Sequence, residues 1–135
     1  MDDYLRNFLV ALPVFVLIDF TWIGVVAKKI YLDELGGLAR MKDGKFTPNL
    51  PAGVAAWAVI AAGLVLFAVP HLTPDSSIAT VLGWGAAFGF VGYAMYDLTN
   101  LATVRDYSIK LTALDIAWGT VLSAVVTLIV WLVAK

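Results

Sequence analysis

Three aspartates lie within stretches of the sequence that are otherwise apolar: Asp19, Asp97 and Asp115. A carboxylate at membrane depth costs roughly 3 kcal/mol or more unless it is neutral, paired or reached by water, so such residues often mark functional sites. A buried carboxyl group can act as a general acid or base, or can bind a cation or carry a proton. The sequence therefore points first to carboxyl chemistry.

Asp97 belongs to the string "YDLTNLAT", which adds tyrosine, threonine and asparagine to an apolar run. At about 100° per residue, a stripe roughly 120° wide collects most of the notable side chains of this run. A G-x-x-x-G pair on that stripe would let another helix approach closely, so the stripe is expected to face inward against protein. Its members are Gly85, Gly89, Tyr93, Tyr96, Asp97, Asn100 and Val104.

The other two aspartates share a spacing with tryptophan: Asp19 precedes Trp22, and Asp115 precedes Trp118. Residues at i and i+3 lie on one helical face, so each indole N–H is expected to donate to the carboxyl group of its own helix. Thr112, one turn from Asp115, is expected to provide a further donor. The predicted polar pocket thus combines the three aspartates with Trp22, Tyr93, Tyr96, Asn100, Thr112 and Trp118.

The remaining residue types exclude several kinds of site. The chain has no cysteine and a single histidine, His71, which excludes thiolate chemistry and any multi-histidine metal or haem site within one chain. We expect no metal and no cofactor, and the net charge of −1 gives no basis for nucleic-acid binding. We expect an interfacial position for His71, and interfacial or lipid-facing positions for Trp57, Trp84 and Trp131.

The elements that must position the acids are membrane helices. Of the 135 residues, 61% are hydrophobic and 14% are charged, against about 45–50% and about 25% in soluble domains. A spanning helix needs roughly 20 apolar residues. The acidic leader "MDDYLR" and Asp19 favour a retained first helix over a signal peptide. The prediction is an all-α, four-helix bundle in a single transmembrane domain, residues 1–135, with spans at residues 6–27, 52–72, 78–104 and 109–134.

Lysine and arginine counts predict the orientation. Loops one and three carry seven of these residues, whereas the other side carries only Arg6 and Lys135. By the positive-inside rule, loops one and three face the cytoplasm and both termini lie outside. At 1.5 Å per residue, Asp19, Asp97 and Asp115 then lie about 13, 12 and 8 Å from the cytoplasmic end. We therefore expect the three carboxyl groups to converge in the cytoplasmic half of the bundle.

The long first loop leaves two interpretations open. Tyr31, Leu35 and Leu38 stand at helical spacing among basic residues, which is typical of a short helix in the membrane interface. Gly36 and Gly37 interrupt that pattern and are equally consistent with a solvated loop.

Taken together, "YDLTNLAT", the following "DIAWGT" and the upstream D-x-x-W-x-G of the first span resemble bacterial four-helix membrane proteins catalogued as domain-of-unknown-function family 2177. The resemblance covers nearly the whole chain. It implies a bacterial inner-membrane protein, and it carries over no reaction and no catalytic residue.

Three functions remain open from the sequence. The acidic pocket could bind or transport a small polar molecule, a cation or protons, with a homodimer as the natural assembly for transport. Alternatively, an enzyme could use Asp97 or Asp115 as general acid or base on a lipid or apolar substrate, with Tyr93 or Tyr96 as donor. Thirdly, the polar stripe could pair with another membrane protein in a larger complex.

Overall fold

Four long helices dominate the computed structural model, which describes residues 2–135. Within these residues, four helices are long and apolar enough to cross a membrane, and they closely match the four predicted spans: Asp3–Val26, Leu50–His71, Ile78–Thr103 and Ile109–Ala134. The prediction of an all-α membrane bundle is confirmed. We label the α-helices α1 (Asp3–Thr21), α2 (Lys28–Leu35), α3 (Leu50–Phe67), α4 (Ile78–Thr103) and α5 (Ile109–Ala134).

Short polar side chains define where the long helices begin. Asp2, Asn49, Ser77 and Ser108 stand at the N-caps, and each side chain accepts a hydrogen bond from a backbone N–H of the first helical turn. Such caps satisfy N–H groups that have no partner within the helix.

The first span ends in an irregular turn. Residues Trp22–Val26 form a π-helical segment, and the N–H of Ala27 bonds the carbonyl of Trp22 at 2.7 Å. A π-turn inserts an extra residue and rotates the side chains that follow, and such turns are frequent at functional sites. Trp22, the first residue of this segment, donates its indole N–H to the hydroxyl of Tyr31 in loop one.

The four long helices form an incomplete ring. Helix α1 packs against α3 and α5, and α5 packs extensively against α4, whereas α3 and α4 have little contact with each other. The apolar core lies among α1, α3 and α5, around Phe15, Leu64, Leu122 and Val126. The ring is therefore open along one side, between α3 and α4.

Glycines allow α4 and α5 to approach closely, as the G-x-x-x-G pair predicted. A Cβ added to Gly85 would lie 2.7 Å from the carbonyl oxygen of Ser123, and one added to Gly89 would collide with the carbonyl oxygen of Gly119. A Cβ on Gly119 would in turn collide with the ring of Tyr93. At Gly85 and Gly89 no side chain larger than hydrogen fits without displacing the backbone of α5, and at Gly119 none fits without displacing the ring of Tyr93.

Loop one folds back onto the bundle. Of the two interpretations left open for this loop, a short helix is present, as α2. A 3₁₀ turn follows at Gly36–Leu38, and strands β1 (Met41–Lys42) and β2 (Lys45–Phe46) form an exposed hairpin. Hydropathy and helical spacing did not predict the hairpin. Tyr31 is buried against Ala27 and Leu111, so α2 is anchored to the end of α5.

Candidate functional site

Asp19 is held by two indoles that come from two other helices. Its Oδ2 accepts a hydrogen bond of 2.7 Å from Nε1 of Trp57 on α3, and its Oδ1 accepts one of 2.8 Å from Nε1 of Trp118 on α5. The side chain is buried, with 5% of its surface exposed. Three helices therefore meet at this carboxyl group.

This arrangement differs from the same-helix pairs expected from the i, i+3 spacing. Trp118 donates to Asp19 rather than to Asp115, and Trp22 donates to the hydroxyl of Tyr31 at 3.2 Å rather than to Asp19. The rings of Trp22 and Trp118 stack between the helices, with centroids 4.2 Å apart and planes 10° apart. The i, i+3 spacing places each tryptophan on the same helical face as its aspartate. The indole N–H nevertheless bonds an acceptor on another helix.

Asp115 is reached from loop one. The Tyr31 hydroxyl donates to its Oδ1 at 2.6 Å. Thr112, expected to donate to Asp115, instead donates to the backbone carbonyl of Ser108 at 2.9 Å within its own helix. A threonine hydroxyl in a helix readily bonds the carbonyl four residues earlier, which removes it from the site.

Asp97 is fully buried, and only one of its two carboxyl oxygens accepts a hydrogen bond. Its Oδ1 accepts a hydrogen bond of 2.9 Å from the hydroxyl of Tyr107, which lies in loop three. Its Oδ2 has no hydrogen-bond partner among residues 2–135. The carboxyl groups of Asp97 and Asp115 adjoin each other, and Asn100 lies against Tyr107.

The two tyrosines of the loops are neutral donors. Burial raises the pKa of the Tyr31 hydroxyl well above its ordinary value, and the adjacent carboxyl group of Asp115 raises it further. Burial likewise raises the pKa of the Tyr107 hydroxyl. Sequence reasoning missed both residues as site components because they lie outside the spans, where hydropathy gives no signal.

A cleft of about 580 Å³ opens between α3 and α4 and ends at the acids. Asp19, Asp115 and Tyr93 line it, and Tyr96, 61% exposed, stands at its outer edge. The other lining side chains are apolar or aromatic apart from the indole N–H of Trp57, and several are small: Ile23, Ala52, Ala55, Ala56, Trp57, Val59, Ile60 and Gly92. Tyr93 is within electrostatic reach of all three aspartates.

The tryptophans outside the predicted pocket have diverse positions. Trp57, expected at the interface or facing lipid, instead bonds Asp19. Trp131 is buried and donates to the carbonyl of Thr73 at 2.8 Å, so it too differs from the expectation. Trp84 is 40% exposed and stacks on His71 at 3.8 Å, at the end of the bundle opposite to loops one and three.

Nothing in the described part of the chain gathers metal ligands. Among residues 2–135, no group of three or more His, Asp or Glu side chains is placed to hold a metal ion. The polar groups that line the cleft are the carboxyl groups of Asp19 and Asp115, the phenols of Tyr93 and Tyr96 and the indole of Trp57.

Comparison with protein families finds one match that spans most of the chain: the family described as "Predicted membrane protein (DUF2177)" matches residues 4–132. Comparison with curated proteins gives no significant match, and comparison with solved structures gives none either.

Proposed function

The chain belongs to the DUF2177 family of membrane proteins, and from that premise we propose that it binds an amphipathic molecule whose head group is cationic or rich in hydrogen-bond donors. The head group lies at Asp19 and Asp115, and the apolar body lies along the cleft between α3 and α4. The protein does this as a multi-pass protein of the inner membrane.

The observation that carries the proposal is the polarity of the cleft. Two carboxyl groups stand at its inner end, whereas alanines and other apolar side chains form its walls. Ligand pockets of this kind bury an apolar body and fix its orientation through a few polar groups. A carboxyl group offers acceptors, so the complementary head group is a donor or a cation.

Asp19 is preorganised for such a role. Its two indole bonds fix the carboxyl group, yet two carboxylate oxygens offer about four acceptor sites in total. Acceptor capacity therefore remains for a ligand. The indoles also wall the carboxyl group off from competing water, which strengthens a charge-assisted bond.

The opening of the ring favours a ligand that enters from the bilayer. Helices α3 and α4 carry exposed apolar side chains such as Val59 and Val91, so the cleft between them adjoins lipid. A membrane-dissolved molecule reaches such a site without crossing water. Because the acids are buried within one chain, their arrangement supports a binding site more than a contact surface for another membrane protein.

Binding is tested by calorimetry on protein in lipid nanodiscs, with octylammonium as the probe and empty nanodiscs as the blank. We expect saturable binding that Asp19→Asn weakens roughly 10- to 100-fold, as expected for loss of a charged partner worth about 1.5–3 kcal/mol. Asp75→Asn, in the exposed loop before α4, is the matched control and should bind as the wild type does.

Octanol and octanoate complete the test. Octanol has the same chain without the charge and should bind more weakly, and octanoate should not bind. Equal affinity for octylammonium and octanol, or an unchanged affinity of Asp19→Asn, would refute the proposal.

A further inference from the structure

Asp97 contains a polar atom that the described chain leaves without a partner. Asp19 receives two donors, and Asp115 and Asp97 receive one each. Oδ2 of Asp97 receives none, although the side chain is fully buried. Buried polar atoms without a partner are rare and demand an explanation. The group that Asp97 does adjoin is another carboxyl, that of Asp115.

Two adjoining carboxylates at membrane depth are unfavourable for two reasons. Their like charges repel strongly in a medium of low dielectric constant, and each loses its hydration. A single proton between the two carboxyl groups removes the repulsion and leaves one buried negative charge instead of two, as in other carboxyl dyads. It would also give Oδ2 of Asp97 the bonding partner that it lacks.

The charged surroundings offer no other compensation. Asp19 on α1 adds a further acid, Tyr31 on α2, Tyr93 on α4 and Tyr107 in loop three are phenols, and α3 has no ionisable side chain. His71 lies at the opposite end of the bundle, stacked on Trp84. No lysine or arginine of the described chain acts on Asp97.

We propose that Asp97 and Asp115 hold one proton between them, and that this proton exchanges with solvent at the loop-three end through the hydroxyl of Tyr107. The last step rests on the proposed function: a cation that binds at Asp115 displaces the proton, which leaves by the same route. The protein then couples cation binding to proton release on one side of the membrane.

Among residues 2–135, Tyr107 is the side chain that hydrogen-bonds Asp97, and it lies at the loop-three end of the bundle. Its hydroxyl lies 2.9 Å from Oδ1, and its ring is only partly buried in the loop between α4 and α5. Asp97 itself has no exposed surface, and it does not line the cleft. A proton on the pair therefore reaches water through Tyr107 or through Asp115.

The transfer balances with water as the only co-reactant. For release, Asp97 carries the proton on Oδ1, the oxygen that Tyr107 contacts, and the hydroxyl hydrogen of Tyr107 turns from Oδ1 to a water molecule. The Oδ1–H bond of Asp97 then breaks and its proton bonds Oη of Tyr107, while the original hydroxyl proton of Tyr107 passes to that water molecule. Tyr107 stays neutral, Asp97 becomes a carboxylate, and a hydronium ion leaves. The incoming cation then neutralises one of the two negative charges that remain on the pair.

The shared proton is tested without a ligand, by infrared spectroscopy in nanodiscs at neutral pH. We expect a carbonyl band of a protonated carboxylic acid that disappears in Asp97→Asn and equally in Asp115→Asn, but persists in Asp19→Asn. Size-exclusion profiles establish that each variant is folded. A wild type without this band, or a band lost only in Asp19→Asn, would overturn the proposal.

The route is tested by the rate at which this band shifts after transfer into D₂O. Tyr107→Phe keeps the ring and should keep the band, but should slow the shift by roughly 100-fold, the usual range for loss of a positioned proton-transfer group. Tyr4→Phe is the matched control, because Tyr4 is exposed and lies at the start of α1, far from loop three. An unchanged rate in Tyr107→Phe would exclude the tyrosine route.

Coupling is tested by titrating octylammonium in two buffers of different ionisation enthalpy. We expect release of about one proton per molecule bound, and none from Asp97→Asn, which still binds. Binding without proton release overturns the coupling alone. Absence of binding refutes the proposed function, and the infrared results then still decide on the shared proton and its route.

Discussion

Tyr31 joins loop one to the acidic site through a single hydroxyl group. This hydroxyl accepts a hydrogen bond from Trp22 and donates one to Asp115, and the residue is 8% exposed. The phenol donates this hydrogen bond only while it is protonated. Burial raises its pKa because the charged phenolate would lose its hydration. Tyr31 should therefore contribute to the pH dependence of stability at alkaline pH.

We expect Tyr31→Phe to change the stability of the protein at alkaline pH. In the unfolded chain the phenol ionises near pH 10, whereas in the folded chain it stays neutral, so the folded state binds more protons above that pH. The stabilisation from this raised pKa is complete below about pH 10, and it declines above it by up to ~1.4 kcal/mol per pH unit.

The measurement is the free energy of unfolding in micelles from pH 8 to pH 12. Tyr31→Phe should be less stable at pH 8, by about 0.6–2 kcal/mol for the lost hydrogen bonds, and should show a shallower alkaline decline. Tyr4→Phe should keep the wild-type slope, because Tyr4 is exposed. Identical slopes in all three proteins would contradict the role of Tyr31.

At the residue scale, the sequence identified the acids and one donor, Trp118, although it assigned Trp118 to Asp115 instead of Asp19 and missed the other donors. Asp19, Asp97 and Asp115 stand out because charge is rare in apolar runs. The donors Trp57, Tyr31 and Tyr107 come from another helix or from loops. Helical periodicity describes one helix at a time, and it carries no information about which neighbour an indole or phenol will reach.

Helices α4 and α5 form the tightest pair of elements in the bundle. Their backbones meet where Gly89 faces Gly119. The distance between Asp97 and Asp115 therefore depends on these two residues having no side chain. Small residues at such contacts allow dispersion and weak hydrogen bonds to hold helices together within lipid.

We expect Gly89→Ala to destabilise the bundle by about 1–3 kcal/mol, because the added methyl group collides with the carbonyl oxygen of Gly119 and forces α5 away. Gly83→Ala on the same helix meets nothing within 4 Å and should be neutral or stabilising by up to ~1 kcal/mol. Unfolding in micelles measures both. Equal stabilities of the two variants would show that the close approach is not required.

At the scale of elements, hydropathy was sufficient to locate the long helices in the sequence but not to predict how they pack. The four predicted spans coincide with the long helices, and the G-x-x-x-G pair correctly indicated a close contact. The gap between α3 and α4, which creates the cleft, depends on how side chains of different helices fit together. No pattern within a single helix contains that information.

Residues 2–135 contain four helices that are long and apolar enough to cross a membrane, an even number, so we expect both ends of this part of the chain on one side of the membrane and loops one and three on the other. The contacts agree with this grouping, because Ser108 donates to Glu34 at 2.5 Å and Lys110 approaches the same carboxylate at 3.6 Å. Which side is cytoplasmic remains a prediction from the basic residues of those loops.

We expect single cysteines to report this orientation, since the native chain has none. In intact spheroplasts, a membrane-impermeant maleimide should label Asp75→Cys, before α4, and should label Lys42→Cys, in the hairpin, only after permeabilisation. Both positions are exposed, so accessibility depends on the side of the membrane alone. Labelling in the reverse order would invert the orientation, and labelling of both would contradict the number of spans.

The two indole donors of Asp19 are translated at different times. Translation delivers Asp19 with the first span, Trp57 follows with the second, and Trp118 arrives only with the last. Until α5 enters the bilayer, Asp19 has one donor, and Gly85 and Gly89 have no helix to meet. A chain that stops short of α5 would therefore leave Asp19 with one donor and the glycine face of α4 without its partner helix.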